Sequence, residues 1–170
     1  GSFRGFKGSL YEGGIRVPLV ARWPGHIKPG TTSDHVAANW DLFSTVAELC
    51  GAQVPQHVDG VSFAPTLLGK GNQQKPEYLY WEFPGYGGQQ AVRRGDWKAV
   101  RQNLMRTRQP DQIKTELYHL GKDPGETRDV AADHPEIVAE MEAIFAAART
   151  PNERFPIPVL DGTAGRNSGK

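Results

Sequence analysis

The chain has 170 residues, room for one domain of ordinary size or one open one, and its 20 Lys and Arg against 19 Asp and Glu leave a formal charge of +1. That balance gives no electrostatic case for nucleic acid, which calls for a basic stripe, and a single cysteine, Cys50, excludes an intrachain disulfide or a cysteine zinc site. No apolar run reaches membrane-spanning length and the N-terminus has no signal-peptide pattern, while 20 Gly, 13 Pro and a mean hydropathy of −0.55 describe a polar, turn-rich chain.

In chain order, Phe3-Arg4-Gly5-Phe6 opens abruptly as a loop, which is the expectation for a chain with a further part upstream. The stretch Lys7 to Arg16 then places a lysine, a glutamate, an arginine and three glycines in one turn-rich segment. Val17–Trp23 is a nearly continuous apolar run closed by Pro24-Gly25, which predicts a strand covered on both faces, as in a parallel sheet. Asn39–Cys50 reads as a helix with Leu42, Phe43, Val46, Leu49 and Cys50 on its apolar face and Gly51 at its stop. Asn39 or Asp41 is the expected cap, and Cys50 is expected to be a buried, inert thiol. Ser62 offers a cap to a short helix through Leu67-Leu68 that ends at Gly69.

The pattern then changes to strands. Tyr78–Phe83, Gln90–Arg93, Trp97–Arg101 and Glu116–Leu120 predict a four-stranded antiparallel meander, with Arg94-Gly95-Asp96 as a hairpin turn. The aromatic cluster Tyr78, Tyr80, Trp81 and Trp97 is read as sheet core in preference to a sugar-stacking surface. The last helix carries Ile137, Val138, Met141, Ile144, Phe145 and Ala148 on one face, and Asp133 with Glu136 stands at capping-box spacing around Pro135. It is expected to lie across the meander. The domains expected are residues 1–75, the end of an α/β domain; 76–150, the sheet with its helix; and 151–170, a flexible tail.

Chemistry concentrates at the start. Lys7-Gly8-Ser9 lacks the paired glycine of a phosphate loop, because Phe6 stands where it belongs. Lys7 is still a reasonable lone anion ligand, since an ammonium has three donors for the oxygens of a sulfate or phosphate. Glu12 and Arg16, four apart across Gly13-Gly14, are read as bracing the loop, the glycines allowing positive φ. His26, His35, His57, His119 and His134 are scattered, with no pair at metal-ligand spacing; His35 and His119 are the two most apt to face a cleft, but an ordinary role is the reading preferred for each.

The segment Lys7-Gly8-Ser9-Leu10-Tyr11-Glu12-Gly13-Gly14-Ile15-Arg16-Val17-Pro18, with Trp23-Pro24-Gly25, resembles the C-terminal part of the type I, formylglycine-dependent sulfatases of the arylsulfatase A and N-acetylgalactosamine-6-sulfatase-like family. The likeness continues through Asp41–Thr45, Asp59–Ser62, Leu79–Glu82, Ala91–Lys98, Glu116–Leu120 and Asp123–Glu126, covering roughly residues 4–150. Ser44 and His119 depart from the Pro and Asp that relatives often carry. The resemblance implies an α/β fold, α+β for this piece: the C-terminal part of an alkaline-phosphatase-like sulfatase fold, with a last strand and helix of the large sheet followed by the meander. It implies hydrolysis of sulfate esters of carbohydrates or aryl compounds, with Lys7 contacting the sulfate. It also implies calcium and a formylglycine made from an upstream Cys or Ser, neither held by this chain, and a periplasmic or secreted location. A missing N-terminal catalytic part is the implied partner, so the chain alone is expected to be inactive, and the exposed 17–23 strand is expected to self-associate. A phosphodiesterase or phosphonate hydrolase of the same superfamily and a non-catalytic carbohydrate-binding module are the alternatives. Glycosaminoglycan, algal polysaccharide, mucin and small aryl sulfates all stay open as substrates.

Overall fold

The computed structural model describes residues 1–162, and it divides into two compact units: Gly1–Val17 with the chain from Tyr78 onward, and Pro18–Glu77. The first 17 residues, expected with the first domain, thus join the sheet.

In the sheet unit, β1 (Leu79–Phe83), β2 (Gln89–Arg94), β3 (Trp97–Arg101) and β4 (Thr115–His119) form an antiparallel meander in the order β1-β2-β3-β4. The Gly95-Asp96 turn joins β2 to β3, with Gly95 at φ +60°. Register follows the period-two pattern. Ala91 pairs with Val100 and shares a core with Leu10, Tyr11 and Tyr118. Their neighbours Val92, Ala99 and Leu117 point the other way and meet Met141 and Phe145 of the C-terminal helix, Pro135–Ala148. That helix covers one sheet face, and the N-terminal loop covers the other. Trp81 packs on the loop side, and Tyr78, Tyr80 and Trp97 on the helix side, so the aromatic cluster is sheet core.

Two expectations change in this unit. The capping box does not form: the C-terminal helix has no side-chain cap, and Asp133 lies in a preceding 3-10 turn, pairing with Arg128 at 3.0 Å. Within the expected tail, Ile157 and Val159 are buried in a small core with Leu104. Arg149 fastens that turn, donating to Asp161 at 2.6 Å and to Glu82 at 2.9 Å. The rest of the expected tail, from residue 163, lies outside the described residues.

In the second unit, a helix forms at Asp41–Leu49, inside the expected span, and a short one at Ala64–Leu68 ends at Gly69, φ +63°. Ala64 N–H donates to Ser62 Oγ at 3.2 Å. The longer helix buries the face opposite to the one expected. Asp41, Ser44 and Thr45 are inside, while Leu42, Phe43 and Val46 are exposed and Cys50 is exposed too. The cause is hydrogen bonding: Asp41 accepts from Ala38 N–H and Val61 N–H, Ser44 donates to Gly60 O, and Thr45 accepts from Phe63 N–H. Val17–Trp23 is not a strand: a strand needs hydrogen-bonded neighbours, and no described residue pairs with this run. Val20 is 91% exposed.

Candidate functional site

The loop that carries Lys7 is a constrained turn. Ser9 N–H donates to Phe6 O at 2.9 Å. Gly8, at φ +88°, has no room for a side chain, because a Cβ there would meet the Tyr86 ring at 2.4 Å. Gln89, buried at the start of β2, holds the loop with both ends of its amide. Its Nε2 donates to Gly8 O at 2.8 Å, and its Oε1 accepts from Leu10 N–H at 3.1 Å. Gln102 Nε2 donates to the same oxygen at 3.0 Å, which fixes the amide's orientation.

One helical turn, α1 (Glu12–Ile15), follows. Gly13 and Gly14 serve it through close approach and not through positive φ. A Cβ on Gly13 would lie 2.4 Å from Gly5 O, and one on Gly14 2.0 Å from Ser9 O. Glu12 is buried, and its nearest charge is Lys98 Nζ at 2.8 Å, whereas Arg16 and Arg93 stand at 4.0 Å. Lys98 is fully buried in β3 and also meets Glu126 Oε1 at 2.9 Å. The other Glu126 oxygen accepts Glu12 N–H at 2.6 Å. Burial holds the Glu126 carboxyl above its usual range, and Lys98 opposes that shift.

Sequence reading gave Lys98 and Glu126 no role. One signal was available: Lys98 has the parity of Val100, so period two places it on the face under the loop. Glu126 had no such cue. It follows the Asp123-Pro124-Gly125 turn with φ +53°, a backbone state only the assembled turn reveals.

Arg4 lies over the Tyr11 ring, 3.9 Å from its centroid, and donates to Tyr118 Oη at 2.6 Å. Both tyrosine hydroxyls donate to the Glu116 carboxylate. Burial first, and that carboxylate second, push both phenols well above their usual range, so they stay neutral donors.

An open cleft of about 290 Å³ results, lined by Arg4, Gly5, Phe6, Lys7, Gly8, Ser9, Tyr11, Tyr86, Gln89 and Gln102. Two cations and no carboxylate border it. Arg4 is engaged, but Lys7 is exposed and makes no hydrogen bond or ion pair among the described residues. The arrangement can therefore receive an anion at Lys7.

The remaining sequence candidates lie elsewhere. His26 stacks on Trp23 at 4.0 Å, and burial lowers the His35 pKa in the second unit. His119 and His134 both pack edge-on against Trp97. Among the described residues no three His, Cys, Asp or Glu side chains converge as a metal site requires, and the chain has no C/S-x-P/A-x-R segment for formylglycine, Cys50 being followed by Gly51-Ala52-Gln53. The residues present do not fit either group. No helix among them is long and apolar enough to cross a membrane.

Residues 2–150 match a family described as N-sulphoglucosamine sulphohydrolase, C-terminal. Arylsulfatase A of Homo sapiens is 33% identical over 85% of this chain and 32% of its own length. An N-acetylgalactosamine-6-O-sulfatase of Bacteroides thetaiotaomicron is 30% identical over 88% of this chain and 30% of its own. A solved structure from work on the metabolism of multiple glycosaminoglycans by Bacteroides thetaiotaomicron superposes with a TM-score of 0.70 at 26% identity, covering 86% of this chain and 32% of that one. The chain thus spans about a third of the length of the relatives it matches.

Proposed function

Because the chain belongs to the sulfatase family, as its C-terminal part, we propose that it is the portion of a sulfate-ester hydrolase that presents Lys7 to the sulfate group. The observation that carries this is the geometry of Lys7: an unpaired cation on a loop tied to the sheet by Gln89, at a cleft with no carboxylate. An ammonium held in place before the reaction stabilises charge on a non-bridging sulfate oxygen as it develops, with little reorganisation in the transition state. Under this proposal the buried Lys98, with Glu12 and Glu126, fixes α1 against β3 and so sets where the loop begins and ends.

The nucleophile, formylglycine, and calcium belong in this proposal to the rest of the longer protein, which is also this chain's partner. The exposed apolar run at 17–23 and the exposed Leu42, Phe43 and Val46 are the surfaces it would cover. Sulfated carbohydrates are the substrate class favoured, since one of the relatives is named for a sulfated amino sugar. Polymers of that class do not cross membranes unaided, which supports a periplasmic or secreted location.

The test is steady-state kinetics on the full-length protein. Lys7→Ala lowers kcat/KM for a sulfate ester by about 10²–10³-fold, the range for losing one such charge-stabilising group. The 170-residue chain alone gives no turnover of an aryl sulfate with or without calcium. Unchanged kcat/KM in Lys7→Ala, or turnover by the isolated chain that survives repurification, overturns the reading.

A further inference from the structure

Tyr86 borders the same cleft. It stands in the Gly85–Gly88 turn between β1 and β2, closed by Gly88 N–H donating to Gly85 O at 3.0 Å. Tyr86 has φ +52° and Gly87 φ +92°. Positive φ at both central residues is the pattern of a type I′ turn, which Gly, Asn and Asp fill most readily. A tyrosine in that place holds backbone strain. Yet Tyr86 as a residue is 69% exposed, so burial does not offset the strain, and its hydroxyl has no hydrogen-bond partner among the described residues.

The turn is also held firmly. Leu104 N–H donates to Gly88 O at 3.1 Å and Met105 N–H to Gly87 O at 2.8 Å. The Tyr86 ring fills the space over Gly8, next in sequence to Lys7, and stands 6.0 Å from the Phe83 ring. An exposed aromatic surface is thus fixed beside the unpaired cation. Gln102, on the same cleft, donates one amide N–H to Gln89, and its amide oxygen, which accepts from no group among the described residues, can accept from a ligand hydroxyl.

We propose that Tyr86 is a stacking platform for the pyranose ring of a sulfated carbohydrate whose sulfate lies at Lys7. The chemistry is that of the lining: a cation for the sulfate, an aromatic face for the sugar's C–H face, an amide for its hydroxyls, and no carboxylate to repel the anion. The inference rests on the reading of Lys7 as the sulfate contact, and it makes Tyr86 a specificity residue, separating sugar sulfates from bare sulfate.

The experiment is calorimetric titration of the full-length protein, under non-turnover conditions, with inorganic sulfate and with a panel of sulfated disaccharides from chondroitin and heparan sulfate. Tyr86→Ala is expected to weaken the best disaccharide about fivefold or more and to leave inorganic sulfate within about twofold. Tyr86→Phe keeps disaccharide binding within about twofold, and both variants keep the parent's unfolding midpoint. Lys7→Ala weakens both ligands. Disaccharide affinity unchanged in Tyr86→Ala while Lys7→Ala weakens both overturns the platform and spares the Lys7 reading. Lys7→Ala without effect on either ligand overturns the Lys7 reading and, with it, the placement of the sulfate. A panel in which no disaccharide binds more tightly than inorganic sulfate overturns the platform.

Discussion

Asp161 binds Arg149 at 2.6 Å and accepts the Ile157 N–H at 2.8 Å, and the arginine, followed by that backbone donor, holds its carboxyl below the usual range near 3.8. A depressed folded-state pKa means that the stabilisation is present above the unfolded value and is lost as pH falls through the folded one. Asp161→Asn is therefore less stable than the parent at neutral pH, and the gap closes below about pH 4. Denaturant titrations across that range measure it; a gap that stays constant with pH contradicts the assignment. Single glycines show the same dependence on surroundings. Gly13 and Gly14 were expected to supply positive φ, but what they supply is the absence of a Cβ where carbonyl oxygens come close.

Between elements, the N-terminal turn is joined to the sheet by ions and amides as much as by apolar contact. Lys98 on β3 meets Glu12 of α1 and Glu126 after β4, all three buried. Removing the lysine alone leaves Glu126 buried without a counter-charge and Glu12 with only Arg16 and Arg93 at 4.0 Å. Lys98→Met should cost about 3–5 kcal/mol, whereas the triple change Lys98→Met, Glu12→Gln, Glu126→Gln should cost far less, because the desolvated charges leave together. Equilibrium unfolding compares them; a triple variant as unstable as the single one refutes the argument. The Asp41–Leu49 helix follows related logic. Its polar face is inside because Asp41, Ser44 and Thr45 pair with backbone groups of the 38 and 60–63 segments, of which the Phe63 N–H lies in a buried hydrogen bond and the others in partly buried ones.

At the scale of the whole molecule, the chain exposes apolar side chains that a self-sufficient domain would cover: Val17, Leu19 and Val20 in the expected strand, and Leu42, Phe43 and Val46 on the helix. Such surface drives association. The 170-residue chain is expected to self-associate, and a Val20→Lys, Phe43→Lys variant to shift toward monomer in sedimentation velocity. A monodisperse parent monomer whose 17–23 amides exchange slowly would contradict this.

Local pattern was enough to read the meander, the hairpin turn, the C-terminal helix and the family resemblance from sequence. Period-two and helical spacing are properties of neighbouring residues, and the sheet's register follows from them. The sequence also singled out Lys7, by its place in a glycine-rich loop. What it could not supply were relations across the chain. Lys98 lies 86 residues from Glu12, and Gln89 lies 81 from Gly8; neither pairing has a local signature. Tyr86 has no local signal in the sequence; its positive φ and its contact with Gly8 belong to the folded chain. The Val17–Trp23 run shows the converse: its composition favours a strand, but a strand exists only where another supplies the hydrogen bonds, and that is decided by tertiary structure alone.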